Sequence, residues 1–542
     1  MQRRDRFVKG NKKIGSGVKS RVYHWVMGQK NVVVKRNFCT PISCHCDRHR
    51  NCTCSQLTFA TAISELCICK RLKNHPNVVE LSYASMTSPL PYGLSPTEGN
   101  LIDDKLFFVF PYANGGDLLN FFRNNSSAIR FVHIQKILVD ILLGVEFTHK
   151  NGIVHRDIKP GNILITCENS LLTAKIGDYG LAKDLIYQYG NSPGVVTFWY
   201  RAPEVCTGNY NTSIDIWSVG CVLYDMVSKM TRNLIGDQLQ KDDDYLIVQN
   251  ILNNLPYQPK DEDVRKLSTY FPLRSLSCSY VNRSLPIHPS LQEEMLMNER
   301  QKLQQLFSFM LALNPNERLT ATQILDHEIL SEYHEYIRAV RREQDSKRVG
   351  QSSVFNVVRG NCYRVGMDMA CRIFMEKRYE KWYKHIILFH AIEVYERVIS
   401  SAHKHYGSSL DEKIPEGTAT LYFLTCVYFM TKYFATFNQN IPFSEISKEY
   451  CTAENLKIIS ESEISLIWNV LDFDLYRPTV YDLLINEIQQ TTTGFPSEVD
   501  CASLIIFSVN LGHHGKTAQE AYNYWKKYRH HYDVHTGKLL RR

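Results

Sequence analysis

From His155 to Asn162 the chain reads HRDIKPGN, followed by DYG from Asp178 to Gly180 and APE from Ala202 to Glu204. A carboxylate, an amine and an amide stand close together and a second carboxylate precedes a glycine, a set that chance rarely assembles at these spacings. Around these motifs, from about Gly116 to Leu330, apolar residues recur with a helical period, as in IQKILVDILLGVEFTHK and SIDIWSVGCVLYDMVSK. Upstream, RFVKGNKKIGSGVKSRVYHWVMGQKNVVVKR alternates apolar and polar positions around glycines, which predicts three short antiparallel strands. A helical pattern follows from about Leu57 to Leu72, ended by Asn74, His75 and Pro76. The motifs therefore lie in a helical lobe preceded by a small sheet.

Gly15, Ser16 and Gly17 fall in the turn between two of those strands. Glycine there lets backbone N–H groups approach a phosphate with no Cβ in the way, although these three residues alone would equally suit an ordinary hairpin turn. Lys35 ends the run VVVK about 18 residues later, and Glu65 lies in the helix beyond, so the two can pair and aim the lysine at nucleotide phosphates. With the three motifs added, the chain resembles the eukaryotic protein kinases over about residues 7 to 335.

The resemblance implies an α+β bilobal protein kinase fold, with a small β-rich N-lobe and a helical C-lobe, and phosphoryl transfer from ATP with Mg2+. It places Ile14, Gly15, Gly17, Val22, Lys35, Glu65 and Leu164 around ATP. Asp157 would orient the attacking hydroxyl and accept its proton, and Lys159 would set positive charge against the moving phosphoryl group. Asn162 and Asp178 would supply hard oxygen ligands to magnesium. Lys159 marks the serine/threonine class, Thr197 resembles the threonine that braces base and lysine, and Arg318 resembles the arginine that ties down Glu204. The chain departs from the pattern at Ser20, Val33 and Tyr179, which stand for a glycine, an alanine and a phenylalanine, and none of these removes a charged group. Ser20 should stiffen the loop slightly, and Val33 adds bulk where adenine is expected.

The segment carrying Glu65, FATAISELCICKRLKNHPNVVEL, is similar to the cyclin-binding helix of cyclin-dependent kinases, and VVTFWYRAPEV and YNTSIDIWSVGCVLYDM point to the same group. Kinases of that group need a partner helix bundle to bring the glutamate helix inward. After the polar stretch RAVRREQDSKRVGQSSVFNVVRG the chain holds amphipathic helical segments and almost no strand alternation. Among them HIILFHAIEVYERVIS, LYFLTCVYFMTKYFA and ISLIWNVLDFDLYRPTVYDLL look like the second, third and fifth helices of a single cyclin box, over about Cys371 to Asn486. Lys432 matches the lysine with which cyclin boxes hold the kinase, while the partner glutamate position falls on Ile464, beside Glu463 and Glu461. The expected division is a kinase domain over 1–337 with a Cys-rich insertion at 39–54, a linker over 338–365, and an all-α cyclin-like helical domain over 366–542. A cyclin-like domain in cis is therefore the expected partner, alongside protein substrates.

Ser192 occupies the position of the regulatory threonine of related kinases, and Arg156, Lys183 and Ser64 stand where its three basic ligands are expected, so one arginine is replaced by lysine and another is lost. Val195 and Val196 before Thr197 resemble the loop that accepts proline after the phosphorylated residue. In the insertion, Cys39, Cys44, Cys46, Cys52 and Cys54 are dense enough for structural Zn2+, but the C-x-C spacing is unusual for one tetrahedral ion, and a loop of reduced thiols is the alternative.

The chain has 542 residues, enough for two or three domains. Its 16 cysteines are too sparse for a disulfide-stapled secreted fold, so a reducing compartment, cytoplasm or nucleus, is expected. No apolar run has the length of a membrane span, and a formal charge of +8 is too mild to require nucleic acid, which is not expected as a partner. A second class stays open: a catalytically weak scaffold or a nucleic-acid- or partner-binding module built on the same two folds.

Overall fold

The computed structural model describes residues 12–16, 20–27, 29–37, 53–85, 106–169, 171–184, 198–207, 210–231, 233–234, 243–271, 274–278 and 285–349, with 365, 369, 383–406, 419–420, 422–427 and 430. They belong to two compact units. One comprises the chain to Arg71, Tyr83–Val109 and the part from Val349 onward; the other comprises Leu72–Ser82 and Phe110–Arg348.

In the first unit, β1 (Lys12–Ser16), β2 (Ser20–Met27), β3 (Lys30–Asn37), α1 (Thr53–Arg71), β4 (Tyr83–Ser85) and β5 (Leu106–Pro111) form a small lobe. The sheet order is β1-β2-β3-β5-β4, and the first three strands are the expected antiparallel ones. Strand alternation sends Val32 and Val34 into a core with Trp25, Tyr83, Phe107 and Val109. Lys35, one residue on, is thereby turned to the opposite face. In α1, Ala62, Ile63, Glu65, Leu66, Cys67, Ile68 and Cys69 are all buried, and at helical spacing these positions cover most of the circumference. The remaining side, at Ser64 and Arg71, is half-buried.

The same unit contains the helix Tyr383–Tyr406, nearly all buried through its middle, with Tyr395 edge-on to Phe423 at 5.3 Å. Its bounds enclose HIILFHAIEVYERVIS, and the described residues among 419–430 are helical. The run LDFDLYRPTVYDLL, Lys432 and Ile464 lie outside the described residues.

The second unit is mostly helical: α2 (Leu118–Asn125), α3 (Phe131–Lys150), α4 (Ser213–Val227), α5 (Asp244–Asn254), α6 (Asp261–Ser268), α7 (Pro289–Glu294), α8 (Met297–Met310), α9 (Ala321–Leu325) and α10 (His334–Val349). Two short ribbons, β6 (Ile153–Val154) with β9 (Lys183–Asp184) and β7 (Ile163–Glu168) with β8 (Leu171–Ile176), carry the motif residues between them. The core is built on α3 and α4, whose apolar residues are buried almost throughout. No described helix is long and apolar enough to cross a membrane.

The first part of the segment expected to link the domains is helical: α10 runs to Val349. Its charge-rich sequence conceals Tyr336, Ile337, Val340 and Arg341, spaced to share one face. Tyr336 donates its hydroxyl to Asp140 at 3.0 Å, Arg341 pairs with Glu146 at 2.9 Å, and Gln344 donates to the Asn74 carbonyl at 3.0 Å. Ile337 and Val340 are buried beneath them. Burial pushes the Asp140 carboxyl up, against the pull of Lys136.

Gly144 shows how closely the loop at Asn77 rests on α3, because a Cβ there would meet the Asn77 carbonyl oxygen at 2.6 Å. Helix propensity alone would favour Gly144→Ala. The expected outcome is the reverse, a loss of about 1–3 kcal/mol by overpacking, read from urea unfolding; a stabilised variant would contradict the packing described.

Candidate active site

The expected site residues fall into two groups, one in each unit. In the sheet, Gly15 stands opposite Val22 and Val22 opposite Lys35, so three expected ATP residues form one row across three strands. The pairing is irregular between Lys13 and Gly15, which sets Ile14 in a bulge at 46% exposure. Lys35 Nζ lies 2.7 Å from Glu65 Oε1, with both residues buried. The ion pair expected from the sequence is thus formed. Gly17 lies outside the described residues.

In the helical unit, the loop after β6 brings the motif residues together. Lys159 Nζ donates to Asp157 Oδ2 at 2.7 Å, and Asn162 Nδ2 donates to both the backbone oxygen and Oδ2 of Asp157, each at 2.8 Å. Gly177 N–H donates to the Asn162 carbonyl at 2.8 Å, which ties the residue before Asp178 to Asn162. His155 Nδ1 accepts from Asp157 N–H at 3.2 Å, so its Nε2–H is the donor to Gly177 O at 3.0 Å. One imidazole therefore fixes both the base loop and the DYG segment.

Asp215 in α4 supports this loop. Its carboxylate accepts the N–H groups of His155 (2.8 Å) and Arg156 (2.9 Å) and meets His149 Nε2 at 2.9 Å. Arg156 has φ +65°, a left-handed conformation that a β-carbon disfavours, and the two bonds to Asp215 hold it there. Burial alone would raise the Asp215 carboxyl, but the bonds from His149 and His155 bring it below the usual carboxylate range. Sequence reasoning missed Asp215 and His149, although a carboxylate in the apolar run SIDIWSVG signals a buried acid that needs donors. It also missed Asp117, which caps α2 by accepting from Asn120 N–H and bridges Leu164, one of the expected ATP residues.

Magnesium suits this donor set. Asn162 spends its amide protons on Asp157, which leaves its amide oxygen to meet a cation, and Asp178 adds a hard carboxylate at φ +58°. Arg318 forms a two-pronged pair with Glu204 and lies 4.9 Å from the Trp217 ring, the structural role expected of both. Thr197, Ser192, Cys39, Cys44, Cys46 and Cys52 lie outside the described residues, and Cys54 begins the first turn of α1. Among the described residues no cluster of His, Cys, Asp and Glu could hold a metal, and nothing described supports zinc.

A family model described as protein kinase domain matches residues 8–330. Cyclin-dependent kinase 4 of Mus musculus is 32% identical over 277 residues, which cover 50% of this chain and 80% of that one. Serine/threonine-protein kinase srb10 of Schizosaccharomyces pombe is 29% identical over 286 residues, covering 49% and 70% respectively. For probable cyclin-dependent kinase 8 of Dictyostelium discoideum the identity is 30% over 290 residues, covering 50% and 69%.

Arg156 and Lys183 generate a pH effect. Burial, and beside it the Arg156 guanidinium, bring Lys183 down to about 8 from 10.5. Between those values the unfolded chain holds a proton that the folded one has released, so this group makes stability rise with pH there and lowers it below pH 8. Lys183→Met should flatten the change in urea midpoint between about pH 7.5 and pH 9.5 and raise the midpoint at the lower pH. An unaltered profile would show that Lys183 carries its charge without penalty.

Proposed function

The chain belongs to the protein kinase family and is a protein serine/threonine kinase, and from that premise we propose that it is a cyclin-dependent-kinase-like enzyme activated in cis by its own C-terminal helical region. The observation that carries the catalytic part is the Asp157 carboxylate bonded to both Lys159 and Asn162.

In this reading Asp157 takes the proton of the substrate serine or threonine hydroxyl as the oxygen attacks, and Lys159, already against it, offsets charge on the transferred group. Lys35, held by Glu65, aims at the nucleotide phosphates, while Gly15 and Val22 line the same face of the sheet. Asn162 and Asp178 hold magnesium, which supplies charge neutralisation on the phosphates. Arg318 and Glu204 keep the end of the activation segment in place.

Activation in cis is supported by the burial of most of the circumference of α1 and by the helix Tyr383–Tyr406 lying in the same compact unit. A tether makes docking intramolecular, at an effective concentration of about millimolar, so weak contacts suffice. Phosphate control at Ser192 would be weak. Arg156 already donates to Leu181 O and to Tyr210, Lys183 resists its charge, and Ser64 has none. Proline preference after the target residue follows from the resemblance of Val195 and Val196 to the proline-accepting loop. The sparse cysteines of the sequence suit a reducing compartment, cytoplasm or nucleus.

The test is transfer from labelled ATP to a Ser-Pro and Ser-Ala peptide pair. The full chain should prefer Ser-Pro, and Asp157→Asn should lose about a thousandfold in rate. Residues 1–349, with folding checked by circular dichroism, should be nearly inactive. Full activity in that fragment would remove activation in cis while leaving the kinase assignment standing.

A further inference from the structure

Tyr179 follows Asp178 and is 2% exposed, yet it carries a hydroxyl that a phenylalanine would lack. That hydroxyl lies 3.0 Å from Thr148 Oγ1 on α3, and Thr148 is 1% exposed. A threonine has one proton to give, and Thr148 gives it to the Gly144 carbonyl at 2.8 Å. Tyr179 is therefore the donor and Thr148 the acceptor, in a chain that ends on the backbone of a buried helix.

The other end of Tyr179 meets the catalytic loop. Its ring lies edge-on to His155, with centroids 4.6 Å apart, and His155 holds Gly177 on one nitrogen and Asp157 on the other. Between Gly177 and Tyr179 stands Asp178 in the sparsely populated left-handed region, at φ +58° and ψ +71°, where fixed neighbours help to hold it. The segment is pinned before Asp178 by His155 and after it by the Tyr179 hydroxyl.

We infer that Thr148 is a positioning residue: through the Tyr179 hydroxyl it holds Asp178 in the backbone conformation from which the carboxylate meets magnesium. The inference rests on the reading of Asp178 as a magnesium ligand. Thr148→Val removes that acceptor and sets a methyl group where the threonine oxygen stood, 3.0 Å from the phenol oxygen and too close for carbon, which moves the ring. Tyr179→Phe removes the tether without that clash.

The experiment measures binding of Mn2+, in place of Mg2+, to the full chain with ADP by electron paramagnetic resonance, together with the Mg2+ dependence of phosphate transfer and the urea midpoint. Thr148→Val should weaken Mn2+ binding about tenfold and raise the Mg2+ requirement in parallel, with KM for the peptide unchanged. Thr148→Ser, which keeps the hydroxyl, should restore both. Tyr179→Phe should weaken Mn2+ binding about threefold, and adding Thr148→Val to it should change nothing more. Wild-type Mn2+ binding in Tyr179→Phe overturns the inference even where Thr148→Val does not fold; so does equal weakening by Thr148→Val in the Tyr and Phe backgrounds, or failure of Thr148→Ser to rescue. Asp178→Asn is the control for the underlying reading: unchanged Mn2+ binding there would show that Asp178 is not a ligand, whatever the tether does.

Discussion

The catalytic loop depends on one buried carboxylate. Asp215, 1% exposed, gathers two backbone N–H groups and an imidazole nitrogen. Burying a charge is costly unless it is fully bonded, and here the bonds come from the residues whose geometry matters most. They hold Arg156 in its left-handed turn, which lets His155 point back toward Gly177 and presents Asp157 beside Lys159 and Asn162. Removing the acceptor would release a strained turn and leave several buried polar groups unpaired, so the loop stands or fails as a unit.

The Lys35–Glu65 pair has a different dependence. Strand register alone delivers Lys35 to its face, opposite Val22, but Glu65 arrives only if α1 is held against the sheet. A helix whose apolar residues are buried over most of its circumference cannot hold that position with those residues open to water. The small lobe is therefore sensitive to whatever covers α1, while the Asp215 network is internal to the helical unit. Under the proposed activation, control would belong at the helix, where the stabilising surface could be supplied or withdrawn.

Much of this was legible in the sequence because it is local. Asp157, Lys159 and Asn162 are brought together by a short loop, and the strands follow from alternation around glycines. Asp215 was not legible as a support, since it acts on residues far away in sequence and nothing beside it indicates where its donors are. Thr148 was hidden for the same reason: a threonine inside an apolar helix shows no role until the Tyr179 hydroxyl is seen against it. The polar composition of α10 suggested a linker, but its long side chains reach acids on the helical unit, and composition does not record that kind of contact.

The anchoring of α10 limits how the C-terminal region can act. Because Tyr336, Arg341 and Gln344 bind the helical unit in succession, the chain is committed to that surface until near Val349, and under the proposed activation in cis only the residues beyond it would serve as tether. Gln344 ends this path on Asn74, in the loop that leaves α1. A shorter free segment raises effective concentration, since the entropy of closing a loop grows with its length. Under the proposed activation in cis, helix α10 would shorten the tether and so let weak docking suffice to keep Glu65 on Lys35.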